Sequence, residues 1–184
     1  MMSAQLTIDE LAWVTGLPEA DLSRWQRRSP TAVPALAGQA IKLARKLSPT
    51  SSMILRDRLT TYGRLSALIA AETDASFAVR LVRESVLDAA TLVAPADIDA
   101  FHAPAPATGR RGWDALIAGV AMMTGLDNVS DPDILAWCDD PIRYSEELFD
   151  PLGAGRWRWL DYLRTPIELQ DRNVILASGN LEGV

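Results

Sequence analysis

Four polar side chains near the start of the chain have the types and the spacing to contact the edges of DNA bases: Ser23, Arg24, Gln26 and Arg27. Arginine and glutamine form paired hydrogen bonds with guanine and adenine in the major groove, and serine can bond to several bases. The basic residues that follow could hold phosphates: Arg28, Lys42, Arg45 and Lys46. We predict DNA contacts by Thr7, Ser23, Arg24, Gln26, Arg27, Arg28 and Lys42. The alternative is that these residues form only a solvated basic surface.

Two short helices joined by a tight turn would position these side chains. Thr7 and Glu10 have the spacing of a capping box, which fixes where the first helix begins. Gly16 can adopt the left-handed conformation that ends this helix, and Pro18 suits the first turn of the next one. The second helix then directs Leu22 and Trp25 toward the core and leaves Ser23, Gln26 and Arg27 outside.

The stretch LAWVTGLPEADLSRW, residues 11–25, resembles the helix-turn-helix of bacterial regulators with a phage-repressor-like (Xre) or MerR-like head. The positions that match this family's pattern are Leu11, Ala12, Gly16, Leu17, Leu22 and Trp25. The resemblance implies that the second helix enters the major groove. Two features differ from the family. Only five residues precede Leu6, and no wing pattern follows in SPTAVPALAG.

Acidic residues open the predicted recognition helix. Glu19 and Asp21 favour the positive end of the helix dipole. They also repel phosphate, and a carboxylate at a base edge accepts hydrogen bonds only from cytosine. This leaves a second interpretation open, a protein-interaction adaptor whose helix-turn-helix no longer binds DNA.

The rest of the chain is also predicted to be helical, so the expected fold class is mainly α. Residues 1–48 form the helix-turn-helix head. Apolar residues recur at helical spacing in residues 49–100, which predicts a helical hairpin that either belongs to the core or binds a second copy of the chain. Residues 101–111, FHAPAPATGRR, are rich in proline and are predicted to be a linker. Residues 112–184 form a compact, mostly helical C-terminal module.

Charge is distributed unevenly along a chain whose net charge is −6. Residues 20–46 hold six basic residues and one acid, whereas residues 131–150 hold seven acids and one base. A basic head and an acidic tail fit a DNA-binding end and a protein-binding end, or simply two solvated surfaces of opposite sign.

The C-terminal region resembles that of actinobacterial antitoxins, through GWDAL, the AW before an acidic proline segment, and TPIELQDRNVIL. The stretch WLDYLRTP is similar to the toxin-binding domain of Xre- and MbcA-type antitoxins. The resemblance implies a regulator that binds its promoter with the head and a toxin with the tail. Such regulators act as homodimers when two heads span adjacent turns of the major groove. The predicted partner-binding residues are Trp137, Tyr144, Phe149, Trp157 and Trp159.

The sequence gives little support for catalysis. One histidine, His102, and one cysteine, Cys138, cannot make a structural zinc site, and no phosphate-binding loop is present. We therefore expect no enzyme activity, no metal and no cofactor. The acidic pairs in residues 131–140 leave a third hypothesis open, an enzyme whose active site uses carboxylate side chains. Without a signal peptide or a long apolar segment, and with a lone cysteine, the protein is expected in the cytoplasm, away from membranes.

Overall fold

A computed structural model of the protein describes residues 5–27, 33–153 and 155–182. These residues form α-helices at Ile8–Thr15 (α1), Glu19–Arg27 (α2), Ala35–Ala44 (α3), Met53–Asp57 (α4), Tyr62–Ala71 (α5), Ala75–Thr91 (α6), Pro95–Phe101 (α7), Arg111–Gly125 (α8), Arg158–Leu163 (α9) and Ile167–Gln170 (α10). Short 3-10 helices lie at Pro132–Asp139, Pro141–Arg143, Gly155–Trp157 and Ser178–Asn180. The predicted mainly α fold is confirmed. The described residues contain no β-strand, and residues 172–178, RNVILAS, contribute only a parallel bridge between Val174 and Phe149.

The predicted capping box and turn are present in the head. The Thr7 hydroxyl accepts a hydrogen bond from the Glu10 backbone N–H at 3.2 Å, and the Glu10 carboxylate accepts one from the Thr7 N–H at 2.7 Å. Helix α1 ends at Gly16, whose φ of 67° lies in the left-handed region. Helices α2 and α3 both pack against α1, so the head has a three-helix arrangement.

Two glycines bring the end of α1 into backbone contact with the start of α5. A Cβ atom added at Gly16 would lie 1.8 Å from the carbonyl oxygen of Gly63, and one added at Gly63 would lie 2.4 Å from the carbonyl oxygen of Thr15. The Thr61 hydroxyl, which caps α5, donates to the Val14 carbonyl at 2.6 Å. The turn between α1 and α2 is therefore fixed against the middle of the chain, not only within the head.

Helix α8 is the central helix of the fold. Every residue from Trp113 to Ala121 is buried, because nearly all of these side chains are apolar or small. Helices α5, α6 and α10 pack around α8, together with the 3-10 helices Pro132–Asp139 and Pro141–Arg143. Helices α5 and α6 also pack against each other, in the region where the sequence predicts a helical hairpin.

The predicted linker at residues 101–111 differs from the structure in its first half. Phe101, His102, Ala103 and Ala105 are buried. Distant side chains donate to the carbonyl groups of this segment: Trp137 Nε1 lies 3.1 Å from the His102 oxygen, and the Arg143 guanidinium bonds to the Ala105 oxygen. The prolines do interrupt the helices, as expected. However, Phe101 and Ala105 belong to a core cluster that extends from Leu6 to Leu181, and Ala103 packs in a second cluster with Ala40, Leu43 and Ile134.

Two buried arginines hold the C-terminal segments together. Arg143 lies 3.3 Å from the Asp114 carboxylate and 4.8 Å above the Trp137 ring. Arg172 donates to the Glu168 and Cys138 carbonyl groups, each at 3.1 Å, and stacks 4.9 Å above the Tyr144 ring. Cys138 lies near both guanidinium groups, but burial outweighs their charge and raises the pKa of its thiol to about 12.

The single histidine lies in a buried hydrogen-bond chain. His102 Nδ1 is 2.8 Å from the Ile98 carbonyl, and its Nε2 is 3.0 Å from the Thr124 hydroxyl, which lies 2.6 Å from the Tyr62 hydroxyl. Since a carbonyl only accepts, Nδ1 carries the proton of the neutral ring, and the Thr124 and Tyr62 hydroxyls also lie 2.9 Å and 3.2 Å from the Val120 carbonyl, to which each can donate. Burial, the largest influence, lowers the pKa of His102 below its ordinary value.

The burial of His102 predicts a loss of stability in mild acid. As the pH falls through about 6.5, the ordinary histidine pKa, His102 of the unfolded chain takes up a proton that the folded ring takes up only at a lower pH. The free energy of unfolding of the wild type will therefore decrease between pH 7 and pH 5 more than that of His102→Gln. Urea unfolding of both proteins at several pH values measures the difference. Parallel curves would contradict the prediction.

Candidate nucleic-acid interface and partner surface

Helix α2 presents a polar face away from the core. Leu22 is buried and Trp25 is half-buried against the core cluster, as predicted. Of the four predicted base-contacting residues, Arg24, Gln26 and Arg27 are exposed and Ser23 is half-buried. At 100° per residue, Ser23, Arg24 and Arg27 share one side of α2, whereas Gln26, four residues after Leu22, lies beside the side that faces the core.

Both described arginines of this face already have local partners. The Arg24 guanidinium forms a salt bridge with Asp21, one turn earlier on α2. Arg27 Nε donates to the Ser23 carbonyl at 3.1 Å. An exposed ion pair contributes at most about 1 kcal/mol, so a phosphate or a base could displace these contacts. Asp21 nevertheless partly neutralises the positive charge of Arg24, which the sequence alone does not indicate.

The remaining predicted DNA contacts lie at different places. The Thr7 hydroxyl is engaged in the capping box of α1 with Glu10. Lys42 is exposed on α3 and lines a cavity together with Gln26 of α2. Arg28 lies outside the described residues. The structure thus brings Lys42 near Gln26 of α2, whereas it assigns Thr7 a role as a helix cap.

A second arginine cluster, on the other side of α1, is not predicted from the sequence. Trp13 donates from its indole Nε1 to the Leu59 carbonyl at 3.1 Å. The guanidinium carbons of Arg58 and Arg64 lie 5.1 Å and 4.7 Å from the centroid of the Trp13 ring, and Arg58 also pairs with Asp9 at 3.3 Å. These contacts join residues far apart in the chain, so local periodicity identifies Arg58 and Arg64 only as helix-surface residues.

Three of the five predicted partner-binding residues are partly or fully inside the protein. Trp137 is only 3% exposed. Tyr144 is half-buried against Arg172, and Phe149 is half-buried with its ring edge-on to Trp113 at a centroid distance of 5.2 Å. Trp137 therefore cannot present its ring to a partner, and the side chains of Tyr144 and Phe149 have mainly intramolecular contacts.

The other two predicted residues belong to an exposed apolar region. Trp157 and Trp159 are 58% and 73% exposed. Three large apolar side chains near them in the chain are also exposed, and we call the group of five the α9 surface: Trp157, Trp159, Leu160, Leu163 and Ile167. Helix α9 buries none of its residues. Monomeric proteins rarely leave such a concentration of large apolar side chains in water unless it binds something.

Three exposed arginines lie close in the chain to the residues of the α9 surface. Arg156, Arg158 and Arg164 are exposed, and the guanidinium of Arg156 lies 5.0 Å from the Trp157 ring centroid. Arg158 lies 3.6 Å from the Asp150 carboxylate. The surface is therefore apolar with a cationic rim, even though the chain as a whole is acidic.

The buried carboxylates have structural partners. Asp97 accepts hydrogen bonds from the Ser52 hydroxyl and the Met53 N–H, and Asp99 accepts two from Ser130. Asp114 accepts from the Thr108 N–H at 2.7 Å and faces Arg143. Within residues 5–27, 33–153 and 155–182, no group of three or more histidine, cysteine or acidic side chains is arranged to hold a metal ion.

No protein-family model, curated protein or solved structure matches the chain. In the part of the chain that the structure describes, no helix is both long enough and apolar enough to cross a bilayer.

Proposed function

We propose that the protein is a DNA-binding transcriptional regulator of antitoxin type. It binds promoter DNA with α2 and a protein partner, a toxin, with its C-terminal region. The observation that carries the proposal is the head itself. Helix α1 is capped by Thr7 and ends at a left-handed Gly16, and α2 then holds Arg24 and Arg27 exposed on the side away from Leu22, with Gln26 exposed beside Leu22. This is the arrangement in which a helix-turn-helix offers side chains to the major groove.

One such head makes few contacts with DNA. Two heads related by a two-fold axis reach half-sites one helical turn apart, which is why these regulators are commonly dimers. The exposed side of α6 carries Phe77 and Leu87, both more than 40% exposed, and supports a homodimer formed through the middle of the chain. We therefore expect a palindromic operator.

The DNA-binding proposal is tested with the Arg24→Ala and Arg27→Ala variants. Fluorescence anisotropy is measured against DNA from upstream of the protein's own gene, across a series of salt concentrations. We expect selective binding that weakens steeply with salt, because each phosphate contact releases counterions. Each alanine will weaken binding by about 1–3 kcal/mol if the arginine contacts a base.

Arg80→Ala is the matched control for these two variants, since Arg80 is exposed on α6, and not on the α2 face. It should bind the same DNA with unchanged affinity. If low-salt binding is absent, or if Arg80→Ala weakens binding as much as Arg24→Ala, the recognition role of α2 fails.

The α9 surface supports the partner-binding half of the proposal. Exposed tryptophans are the residues that most often contribute large binding free energies at protein interfaces. The rim of Arg156 and Arg164 favours a partner surface that is apolar at its centre and acidic at its edge. A toxin encoded beside the protein's own gene is the partner that the antitoxin resemblance implies.

Trp159→Ala is expected to weaken the complex with that toxin by at least about 2 kcal/mol while leaving the protein's own unfolding midpoint unchanged. The side chain is 73% exposed, so its loss opens no cavity. Isothermal titration calorimetry measures the first effect and thermal unfolding the second.

Trp137→Ala provides the contrast, because Trp137 is buried and its removal should lower the free energy of unfolding by about 3–5 kcal/mol. Unchanged affinity of Trp159→Ala for the toxin would remove the α9 surface from the interface.

One observation favours a second candidate function, a protein-interaction adaptor that does not bind DNA. Asp21 neutralises Arg24 through their salt bridge, and Glu19 leaves a further exposed carboxylate at the start of α2. In that case α2 would contact a protein surface and the anisotropy experiment would show no selective binding. The Asp21→Asn variant separates the two functions, since it frees Arg24 and should strengthen DNA binding only if α2 contacts DNA.

A further inference from the structure

A cavity of about 590 Å³ lies between α2 and α3. Its described lining comes from α1, α2, α3 and the residues beside α3: Leu11, Leu22, Trp25, Gln26, Val33, Gly38, Ile41, Lys42 and Arg45. Small-molecule sites in proteins commonly enclose about 300–1,000 Å³, so the cavity has the size of such a site.

The lining divides into an apolar part and a cationic part. Leu11 and Leu22 are buried and belong to the core cluster, so the cavity reaches down to the core of the head. Lys42 and Arg45 are exposed and three residues apart, so they lie on the same side of α3. Within the described part of the chain, neither cation forms a salt bridge.

We propose that this cavity binds a small amphipathic carboxylate, with its apolar body against Leu11, Leu22 and Trp25 and its carboxylate at Lys42 and Arg45. An anion is favoured because two cations that have no acidic partner among the described residues lie at one side of an apolar cavity, and charge-assisted hydrogen bonds to a carboxylate are stronger than neutral ones. The amide of Gln26 supplies one further donor.

Ligand binding at this site would also affect DNA binding by α2, and this part of the inference rests on the proposed function. Trp25 and Gln26 line the cavity from α2, and Lys42 is one of the predicted DNA contacts. A carboxylate held by Lys42 and Arg45 competes with a DNA phosphate for the same cations. Ligand and DNA should therefore weaken each other's binding by the same factor.

Gly38 allows the cavity to be filled by one substitution. A Cβ atom at this position would have only an ordinary contact, 3.8 Å from a Val33 methyl carbon. Gly38→Ala is therefore tolerated and leaves most of the cavity open, whereas Gly38→Leu fills part of it from α3. The two variants form a matched pair at one position.

Isothermal titration calorimetry with decanoate, and with uncharged decan-1-ol for comparison, tests the site on the full chain. We expect decanoate to bind the wild type and Gly38→Ala with similar dissociation constants. The dissociation constant should rise at least about tenfold in Gly38→Leu and in the double variant Lys42→Gln/Arg45→Gln. Decan-1-ol should bind more weakly than decanoate and should not respond to the charge substitutions.

Three results would overturn the inference: no decanoate binding, equal affinity for decanoate and decan-1-ol, or binding that Trp159→Ala removes, which would place the ligand on the α9 surface. Thermal unfolding confirms that each variant is folded before titration.

DNA binding is measured separately, so that failure of the ligand site and failure of the proposed function can be told apart. If decanoate binds as described but the protein binds no DNA, the site stands and the proposed function fails. If both bind, decanoate should weaken DNA binding by the wild type and not by Gly38→Leu.

Discussion

Gly16→Ala will lower the free energy of unfolding by about 2–5 kcal/mol, a large share of the roughly 5–15 kcal/mol that stabilises an ordinary domain. Two effects add. The φ of 67° at Gly16 is unfavourable for any residue with a Cβ atom, at about 1–2 kcal/mol. The new Cβ would also lie 1.8 Å from the Gly63 carbonyl oxygen, so α1 and α5 must move apart. Forced separation of packed elements costs about 1–3 kcal/mol or more.

Two other glycines separate these effects. Gly109 has a φ of 78° with no atom within 4 Å of an added Cβ, so Gly109→Ala should show the conformational cost alone, about 1–2 kcal/mol. Gly63→Ala should show only the clash with the Thr15 carbonyl. Chemical denaturation of the three variants gives the comparison. If Gly16→Ala is no more destabilising than Gly109→Ala, the backbone contact between α1 and α5 is absent in solution.

Arg143→Met is expected to lower the free energy of unfolding by about 3–5 kcal/mol. The substitution keeps an apolar chain of similar length but removes the only cation that faces the buried Asp114 carboxylate at salt-bridge distance in the described residues. The Ala105 carbonyl also loses its donor. The remaining bond from the Thr108 N–H cannot neutralise the charge on Asp114. Thermal or urea unfolding measures the loss.

Asp114→Asn combined with Arg143→Met should recover part of this stability, because the unpaired buried charge is then absent. Arg111→Met is the surface control. The Arg111–Glu146 pair is exposed, and exposed pairs contribute little. A double variant no more stable than Arg143→Met alone would show that the carboxylate is not the source of the loss.

The parts of the structure that depend on local chemistry were predictable from the sequence. Thr7 and Glu10 cap α1 and Gly16 ends it in the left-handed region, because each of these interactions involves residues within one turn of each other. Helical periodicity likewise predicts the mainly α fold.

Features that depend on distant contacts were not predictable. A proline-rich stretch such as APAPA reads as a linker, and only the packing of Phe101 and the donors from Trp137 and Arg143 make it part of the core. Nothing local distinguishes the buried Trp137 from the exposed Trp159. The cavity between α2 and α3 likewise depends on how three helices cross, and spacing along one helix does not determine that.

The buried segment from Phe101 to Ala105 also limits where the chain can tolerate an insertion. Exposed linkers are the positions at which domains are exchanged, duplicated or fused, because insertion there disturbs no packing. Here an insertion would separate the carbonyl groups of His102 and Ala105 from Trp137 and Arg143. An insertion at this joint should therefore destabilise the whole protein, because the residues before and after it share one core cluster.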